Sequence, residues 1–182
     1  NVLATQMAKG SLNKDDINPY DMFHYELRSS VIREPSGKLV SEMNDVEVPT
    51  TWSQAATDIL AQKYLRKTGV PQYSSDGVPI LDENGQPKLG SEKSIKKVAH
   101  RLAGTWRYWA ERYCYFASQE DASVFYDELA YMIIAQMVAP NSPQWFNTGL
   151  YWAYGINGPA QGHYYPDPDA DGEVKLSSDS YS

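Results

Sequence analysis

The sequence predicts an α+β fold that is mainly helical at its centre and contains β structure at both ends. Two segments, about 92–117 and from Ser118 onward, repeat apolar residues every three or four positions, which is typical of helices with one buried face. Near the N-terminus, Phe23, Tyr25 and Leu27 alternate with polar residues, as in a half-buried strand. With 182 residues, the chain is long enough to bury a core.

The N-terminal β structure is predicted to be a hairpin. Residues 1–19 are polar and unpatterned, so we expect an arm there. Residues 35–38 (Pro-Ser-Gly-Lys) have the composition of a turn, and residues 39–48 are expected to return as the second strand.

A first helix is predicted at about 52–67. Thr51 and Gln54 match a capping box, and Gly69 stops the pattern. Its predicted apolar face consists of Trp52, Ala55, Ala56, Ile59, Leu60 and Tyr64. Residues 68–90 follow as a long loop with two turn signals, and this loop can include a small hairpin.

The two longest helices are predicted next. We expect Ser91 to cap the helix at 92–117 and Ser118 to cap the following one, where acidic residues in the first turn favour the helix dipole. The first has a stripe of Ile95, Val98, Leu102, Trp106, Trp109, Tyr113 and Phe116, and the second has a buried face of Phe125, Leu129, Met132, Ile133 and Met137.

Residues 139–150 carry the most informative pattern. Two prolines remove backbone donors, short polar side chains alternate with large rings, and Gly149 frees the backbone. We expect a polar loop anchored by Trp145 and Phe146 in a core, which is how many binding sites are built. On chemistry alone, a packed connector between a helix and a sheet explains the pattern as well.

The same run closely resembles a known family. It reads PNSPQWFNTGL at 140–150, WAYGI at 152–156 and GPAQGHYY at 158–165, and these motifs resemble vitamin B12-dependent (class II) ribonucleotide reductases. Upstream, EVP at 47–49, WSQAATDILAQKY at 52–64, GVP at 69–71 and LAGTW at 102–106 resemble the same family in the same order. The resemblance runs from about Tyr20 to the end of the sequence.

The resemblance implies an oxidoreductase that makes deoxyribonucleotides by thiyl radical chemistry initiated by adenosylcobalamin. It further implies three parts: the arm at 1–19, a hairpin plus helical region at 20–138, and at 139–182 a substrate-loop segment that begins a ten-stranded α/β barrel. The expected partners are a ribonucleotide, with diphosphates favoured, the polypeptide that carries the catalytic cysteines, and a thiol reductant such as thioredoxin. A homodimer of the complete enzyme is one possible oligomeric state.

The candidate substrate-binding residues follow from the resemblance. In these reductases the serine or threonine before the second proline contacts the phosphate end of the substrate, and Ser142 occupies that position. Asn141 and Gln144 are assisting candidates, and a small hydroxyl suits an anionic oxygen. The alternative for Ser142 is a turn hydroxyl bonded to its own backbone. Asn147 and Gly149 are expected to hold the shape of the loop.

The cysteine count limits what this chain can do. The family needs a radical-forming cysteine and a redox-active pair, whereas Cys114 is the only cysteine and matches none of them. No catalytic residue is therefore assigned, and the chain alone is expected to be inactive. We interpret it as an N-terminal portion of a reductase, with adenosylcobalamin bound mainly by parts outside it.

Composition excludes several other classes of protein. A net charge of −7 argues against autonomous nucleic-acid binding. No apolar run reaches the length of a membrane span and no signal peptide is visible, while a single cysteine excludes an internal disulfide. These observations predict a cytoplasmic location.

Some residues have less specific interpretations. Residues 167–172 imitate the start of a calcium loop, but the twelfth position is Ser178, so we expect an acidic turn. His163, in the cluster 161–165, is expected to be structural, and Cys114 is expected to be a buried thiol. A basic, solvated helix face is predicted from Lys93, Lys96, Lys97, Arg101 and Arg107. A calcium-stabilised binding module and a non-catalytic assembly or regulatory protein stay open as alternatives.

Overall fold

The computed structural model describes residues 18–74, 76–160 and 162–178. The expected arm at 1–19 therefore lies almost entirely outside the described residues. The elements are, in order, a 3₁₀ turn (Pro19–Met22), β1 (Tyr25–Arg33), β2 (Leu39–Pro49), α1 (Gln54–Ile59), a π-helix (Leu60–Tyr64), β3 (Val70–Pro71), β4 (Leu89–Gly90), α2 (Ile95–Arg112), α3 (Gln119–Ile134), α4 (Ser142–Asn147), α5 (Leu150–Tyr154), β5 (Tyr164–Asp167), a second 3₁₀ turn (Pro168–Ala170) and β6 (Glu173–Leu176).

The N-terminal hairpin is confirmed, but its apolar face differs from the prediction. β1 and β2 pair antiparallel with Arg28 opposite Val46, and the register shifts just beyond that pair. Val46 on β2 is fully buried, whereas Leu27 on β1 is exposed. The physical reason is that Arg28 on the opposite face points to α1, where its guanidinium donates to the Trp52 carbonyl at 2.7 Å and to the Thr57 hydroxyl at 3.1 Å.

The first helix is shorter than predicted and changes its winding. Ser53, rather than Thr51, is the cap, and its hydroxyl accepts from the amide of Ala56 at 3.1 Å. Trp52 therefore lies outside the helix, buried, with its indole N–H donating to the Ile134 carbonyl at 2.8 Å. After Ile59 the chain widens into the π-helix and then becomes extended at Leu65.

The loop at 68–90 contains the small hairpin that its turn signals allow. Val70 pairs with Gly90, and isolated bridges join Tyr73 to Pro79 and Leu81 to Pro87 within it. The chain folds back twice before it reaches α2.

Both long helices are confirmed, with corrections at their ends. Ser94, rather than Ser91, caps α2 by accepting from the amide of Lys96 at 3.1 Å, and α2 ends at Arg112. The stripe of α2 is therefore buried only in its first half, and Trp109 and Tyr113 are exposed.

Helix α3 begins at the predicted cap, Ser118, whose hydroxyl accepts from the amide of Asp121 at 3.1 Å. Met137 is exposed rather than buried, because α3 ends at Ile134 and Gln136 adopts a positive φ of 58°. The two helices pack against each other, α2 also contacts β2, and α3 contacts the 3₁₀ turn at Pro19–Met22. The core combines the following residues: Val46, Val48, Trp52, Leu60, Ala61, Leu65, Ile95, Val98, Ala99, Leu102, Ile133 and Ile134.

The strands of the described residues form three separate two-stranded antiparallel sheets, the last being β5 with β6. The α+β class is thus confirmed, while the connection to a ten-stranded barrel stays a prediction. Within the described ranges, no helix is long and apolar enough to cross a membrane.

Candidate functional site

The segment around Ser142 is a short helix rather than the expected loop. Asn141 caps α4, and its side-chain oxygen accepts from the amide of Gln144 at 3.2 Å. Pro143 is tolerated because the amides of a first helical turn have no partner within the helix. Asn141, Ser142 and Gln144 thus lie together in one exposed turn.

Ser142 is bonded to a residue distant in sequence and not to its own turn. Its hydroxyl lies 3.1 Å from the Tyr64 hydroxyl, at the end of the π-helix. The Tyr64 ring stacks on Trp145, with centroids 5.4 Å apart and planes 26° from parallel. One tyrosine therefore orients the serine hydroxyl and anchors α4.

The two aromatic anchors of α4 behave differently. Trp145 packs against the core as predicted, whereas Phe146 is 41% exposed and points away from it. Neighbouring side chains on a helix are separated by about 100° around its axis, so when Trp145 faces the core, Phe146 is turned toward the side of α4.

A buried ion pair lies beneath this segment. Arg101 on α2 and Glu92 just before α2 both have fully buried side chains, and the Arg101 Nε lies 2.8 Å from a Glu92 carboxylate oxygen. The second Glu92 oxygen accepts from the Arg66 amide at 2.8 Å. The Tyr154 hydroxyl on α5 donates to Glu92 at 2.8 Å. Burial, together with the Glu92 charge, raises the pKa of Tyr154, so the phenol stays protonated.

The rest of the Arg101 guanidinium binds main-chain carbonyls. It donates to Trp145 at 2.6 Å, to Thr148 at 2.7 Å and to Tyr64 at 3.2 Å. The prediction that Arg101 belongs to a solvated basic face is therefore wrong, because its position on α2 faces Glu92 and α4. Lys96, from the same predicted face, also has a partner, the Glu47 carboxylate at 2.7 Å.

Gly149 sits where the backbone of this segment approaches α2. It has a φ of +83°, and a Cβ there would overlap the Arg101 carbonyl and the Thr105 hydroxyl. The expectation that Gly149 shapes the segment agrees with this close approach. A Cβ at Gly104 on α2 would likewise overlap the Trp152 ring, so α5 also lies against α2.

Two open clefts flank the segment. The first, of about 340 Å³, lies between residues 62–68 and the Phe146–Asn147 end of α4. The second, of about 430 Å³, lies between α2 and α3, where the His100 Nδ1 is 2.7 Å from the Tyr126 hydroxyl. Burial lowers the pKa of His100. Burial also lowers the pKa of Lys67, in the first cleft.

The comparison with protein families decides which family the chain belongs to. Residues 26–136 match the model of the class II vitamin B12-dependent ribonucleotide reductases. The chain belongs to this family. The matched residues contain the hairpin, Glu92 and Arg101, and they end just before α4.

Individual relatives agree with the family. The chain is 49% identical to a vitamin B12-dependent ribonucleotide reductase of Bradyrhizobium diazoefficiens and 47% identical to one of Agrobacterium fabrum, over 90% and 89% of its length. It is 33% identical to that of Rhodopirellula baltica over 79% of its length. In the first two cases it spans 14% of the relative, so it corresponds to a small portion of such a reductase.

The two clefts beside this segment are too small for a corrin ring. Their volumes of 340 and 430 Å³ lie at the lower end of the range for drug-sized ligands, and a corrin is larger than those. We therefore assign neither cleft to cobalamin.

The remaining predicted residues lie outside the segment. Cys114 is exposed rather than buried, because α2 ends at Arg112 and Cys114 adopts a φ of 55° in the turn that follows. His163 is exposed and its carbonyl accepts from the Ser177 amide at 2.8 Å, while Gln161 lies outside the described residues. Asp167 accepts from the Asp169 amide at 2.9 Å and from Lys175 at 2.7 Å, as in an acidic hairpin turn.

Sequence reasoning missed Glu92 and Arg101, the residues that position the segment. A signal was present, since Val98, Arg101 and Thr105 lie at spacings of three and four on α2 and so share one face. An arginine on a buried helix face requires an acidic partner, and Glu92 is near in sequence.

Proposed function

We propose that this chain forms part of a vitamin B12-dependent ribonucleotide reductase and supplies one wall of its substrate site, at Ser142. The observation that carries the proposal is the buried Arg101–Glu92 pair, which binds the carbonyls of Trp145, Thr148 and Tyr64. Burying a charged pair costs free energy. Here the Arg101–Glu92 pair holds the main chain of α4 in place beside the exposed Ser142 hydroxyl.

The proposed contact is between the Ser142 hydroxyl and a phosphate oxygen of a ribonucleoside diphosphate. The Tyr64 hydroxyl, 3.1 Å away, can accept a hydrogen bond from the Ser142 hydroxyl or donate one to it, so Tyr64 orients Ser142 before substrate arrives. The Gln144 side chain is exposed in the same turn and can donate through its amide. The Asn141 oxygen is occupied by the helix cap, so only its amide nitrogen can assist.

The rest of the chemistry is proposed to come from other parts of the protein. Adenosylcobalamin, when bound, supplies the radical, and cysteines outside this chain carry the hydrogen transfer and the reducing electrons. A thiol reductant such as thioredoxin would restore those cysteines, and a homodimer is one expected state. The role of this chain is to orient the substrate and limit the access of water, with residues 139–182 as the part that enters the barrel.

Replacement of Ser142 in the intact reductase tests the proposal. Ser142→Ala removes one donor to the phosphate and should weaken substrate binding by about 1–3 kcal/mol, with little change in kcat. The measurements are the substrate Kd by equilibrium dialysis and the KM and kcat of reduction. Ser36→Ala is the matched control, because Ser36 lies in the hairpin turn and bonds only with nearby groups.

An unchanged Kd in Ser142→Ala would remove this residue from the substrate site. Intact protein that lacks reductase activity when cobalamin and a dithiol are supplied would instead favour the non-catalytic assembly role.

A further inference from the structure

The cleft of 340 Å³ beside Ser142 has an unusual wall. Between Leu60 and Tyr64 the helix is wound as a π-helix, and the amide of Leu65 bonds back to the Leu60 carbonyl at 3.0 Å. Such wide turns are rare and frequently lie at functional sites. Here the wide turn directs residues 62–68 toward the Phe146–Asn147 end of α4.

The charge of this cleft is opposite to that of the chain. Its lining includes Lys63, Arg66 and Lys67 and no acidic side chain, although the net charge of the chain is −7. Among the described residues, none of these three cations forms an ion pair. Lys67 donates to the Ala61 carbonyl, and Arg66 donates through its Nε to the Thr68 carbonyl at 3.0 Å, so the bond of Arg66 uses none of its four terminal N–H donors.

The cleft is continuous with the proposed substrate contact. Tyr64 lines the cleft, and its hydroxyl is the group that bonds to Ser142. Asn147 on the opposite wall is exposed and carries an amide donor, and the Phe146 ring is 41% exposed beside it. Unpaired cations with an amide donor in a concave site suit an anion that carries several charges.

We infer that this cleft binds the terminal phosphate of a nucleoside polyphosphate, with Lys63, Arg66 and Lys67 as its cationic ligands and Asn147 as a donor. The inference rests on the proposed function, because it extends the phosphate contact at Ser142 along the same ligand. The shared chemistry is a pyrophosphate group, which a nucleoside diphosphate or free pyrophosphate can supply.

The test is carried out on the intact reductase with a charge-removing double variant. Lys63→Gln with Lys67→Gln should weaken binding of a ribonucleoside diphosphate by about 10-fold or more, and should weaken binding of the matching monophosphate much less. Lys63→Arg with Lys67→Arg retains the charge and should bind nearly as well as wild type. Lys38→Gln with Lys88→Gln is the control, since both lysines are exposed and lie outside the cleft.

The measurement is Kd by equilibrium dialysis for the diphosphate, the monophosphate and inorganic pyrophosphate, repeated at two salt concentrations. Loss of diphosphate affinity supports the inference. If the affinity for inorganic pyrophosphate falls as well, free pyrophosphate also occupies the cleft, and if it does not, the cleft takes the phosphate of the nucleotide. A change equal to that of the Lys38 and Lys88 control, or an equal loss for the monophosphate, overturns it.

Failure of this inference is distinct from failure of the proposed function. Weak binding in Ser142→Ala with normal binding in the lysine variant would overturn the cleft site and leave the substrate wall in place. Normal binding in Ser142→Ala would overturn the substrate wall, whatever the lysine variant shows.

Discussion

Arg101 shows how one side chain can decide the position of a whole segment. Its guanidinium is fully buried against Glu92 and donates to the Trp145 and Thr148 carbonyls. Those bonds are partly buried, so the carbonyls would lose a charged donor without Arg101, and an unpaired buried Glu92 would be costlier still. The ion pair therefore specifies the conformation of α4 more than it adds to net stability.

Removal of one partner of this pair should be strongly destabilising. Arg101→Met leaves Glu92 buried without its counter-charge and should cost about 3–5 kcal/mol of unfolding free energy. Urea unfolding of the intact protein, with hydrogen exchange at the α4 and α5 amides, measures the effect. The double variant Arg101→Met with Glu92→Leu should recover part of the loss.

Arg112→Met is the matched control for this prediction. Arg112 also pairs with a carboxylate, that of Asp169, but both side chains are largely exposed. Exposed ion pairs contribute little, because water screens them, so this variant should unfold like wild type. A similar loss in both variants would contradict the special role of the buried pair.

At the scale of elements, the junction between α4 and α5 depends on a close backbone approach. Gly149 has a φ of +83° and leaves no room for a Cβ against the Arg101 carbonyl. Gly155, which ends α5, has a φ of +67° with open space around it. Substitution at Gly155 therefore measures the cost of a side chain at positive φ alone, whereas substitution at Gly149 adds the cost of a steric clash.

Substitution by alanine at these two glycines should give different losses. Gly155→Ala should cost about 1–2 kcal/mol, the usual penalty for a side chain at positive φ. Gly149→Ala carries that penalty and must also displace α2 or α4, so its loss should be clearly larger. Urea unfolding measures the free energy of unfolding of each variant. Hydrogen exchange at the α4 amides should be faster in Gly149→Ala than in Gly155→Ala. Equal losses would show that the approach at Gly149 relaxes at no cost.

At the scale of the whole molecule, the sequence predicted the order of the elements because local signals carry it. The strand around Tyr25, the cap at Ser118 and the stripe from Ile95 to Leu102 are signalled by near neighbours in sequence, and all three were confirmed, although the alternation in the strand indicated the wrong apolar face. The end of α2 at Arg112 was missed, because aromatic residues continue the apolar pattern into an exposed turn.

The candidate site was less predictable, because its contacts are long-range. Ser142, Asn141 and Gln144 were brought together in one turn, but the Tyr64 hydroxyl is 78 positions from Ser142 in the chain. The burial of Arg101 likewise depends on α4, whose carbonyls arrive 44 and 47 positions later. No local period records such contacts, so only the folded chain reveals them.

A chain of hydrogen bonds joins the N-terminal turn to both long helices and should make stability depend on pH. The Tyr20 hydroxyl lies 2.8 Å from that of Tyr126, which lies 2.7 Å from the His100 Nδ1. Burial lowers the pKa of His100, and Trp152, Arg107 and Glu111 line the same cleft. A neutral imidazole whose Nδ1 carries no proton accepts from the Tyr126 hydroxyl, whereas a protonated ring can only donate to it.

Stability should therefore fall as the pH drops below about 6.5, the ordinary pKa of histidine. In that range the unfolded chain binds the proton before the folded chain does, so the free energy of unfolding decreases as the pH falls. Because part of the His100 ring contacts solvent, water screens the effect and the decrease should be small. Hydrogen exchange at the α2 and α3 amides of the intact protein, between pH 7.5 and 5.5 and corrected for intrinsic rates, measures the change.

The variant His100→Gln should reduce the dependence of stability on pH. The control His24→Gln replaces an exposed histidine outside the cleft and should preserve that dependence. Burial raises the pKa of Asp127 and Glu128, which acts in the opposite direction, but both variants retain these groups, so their contribution cancels in the comparison. The same pH dependence in His100→Gln as in wild type would show that the proton binds elsewhere.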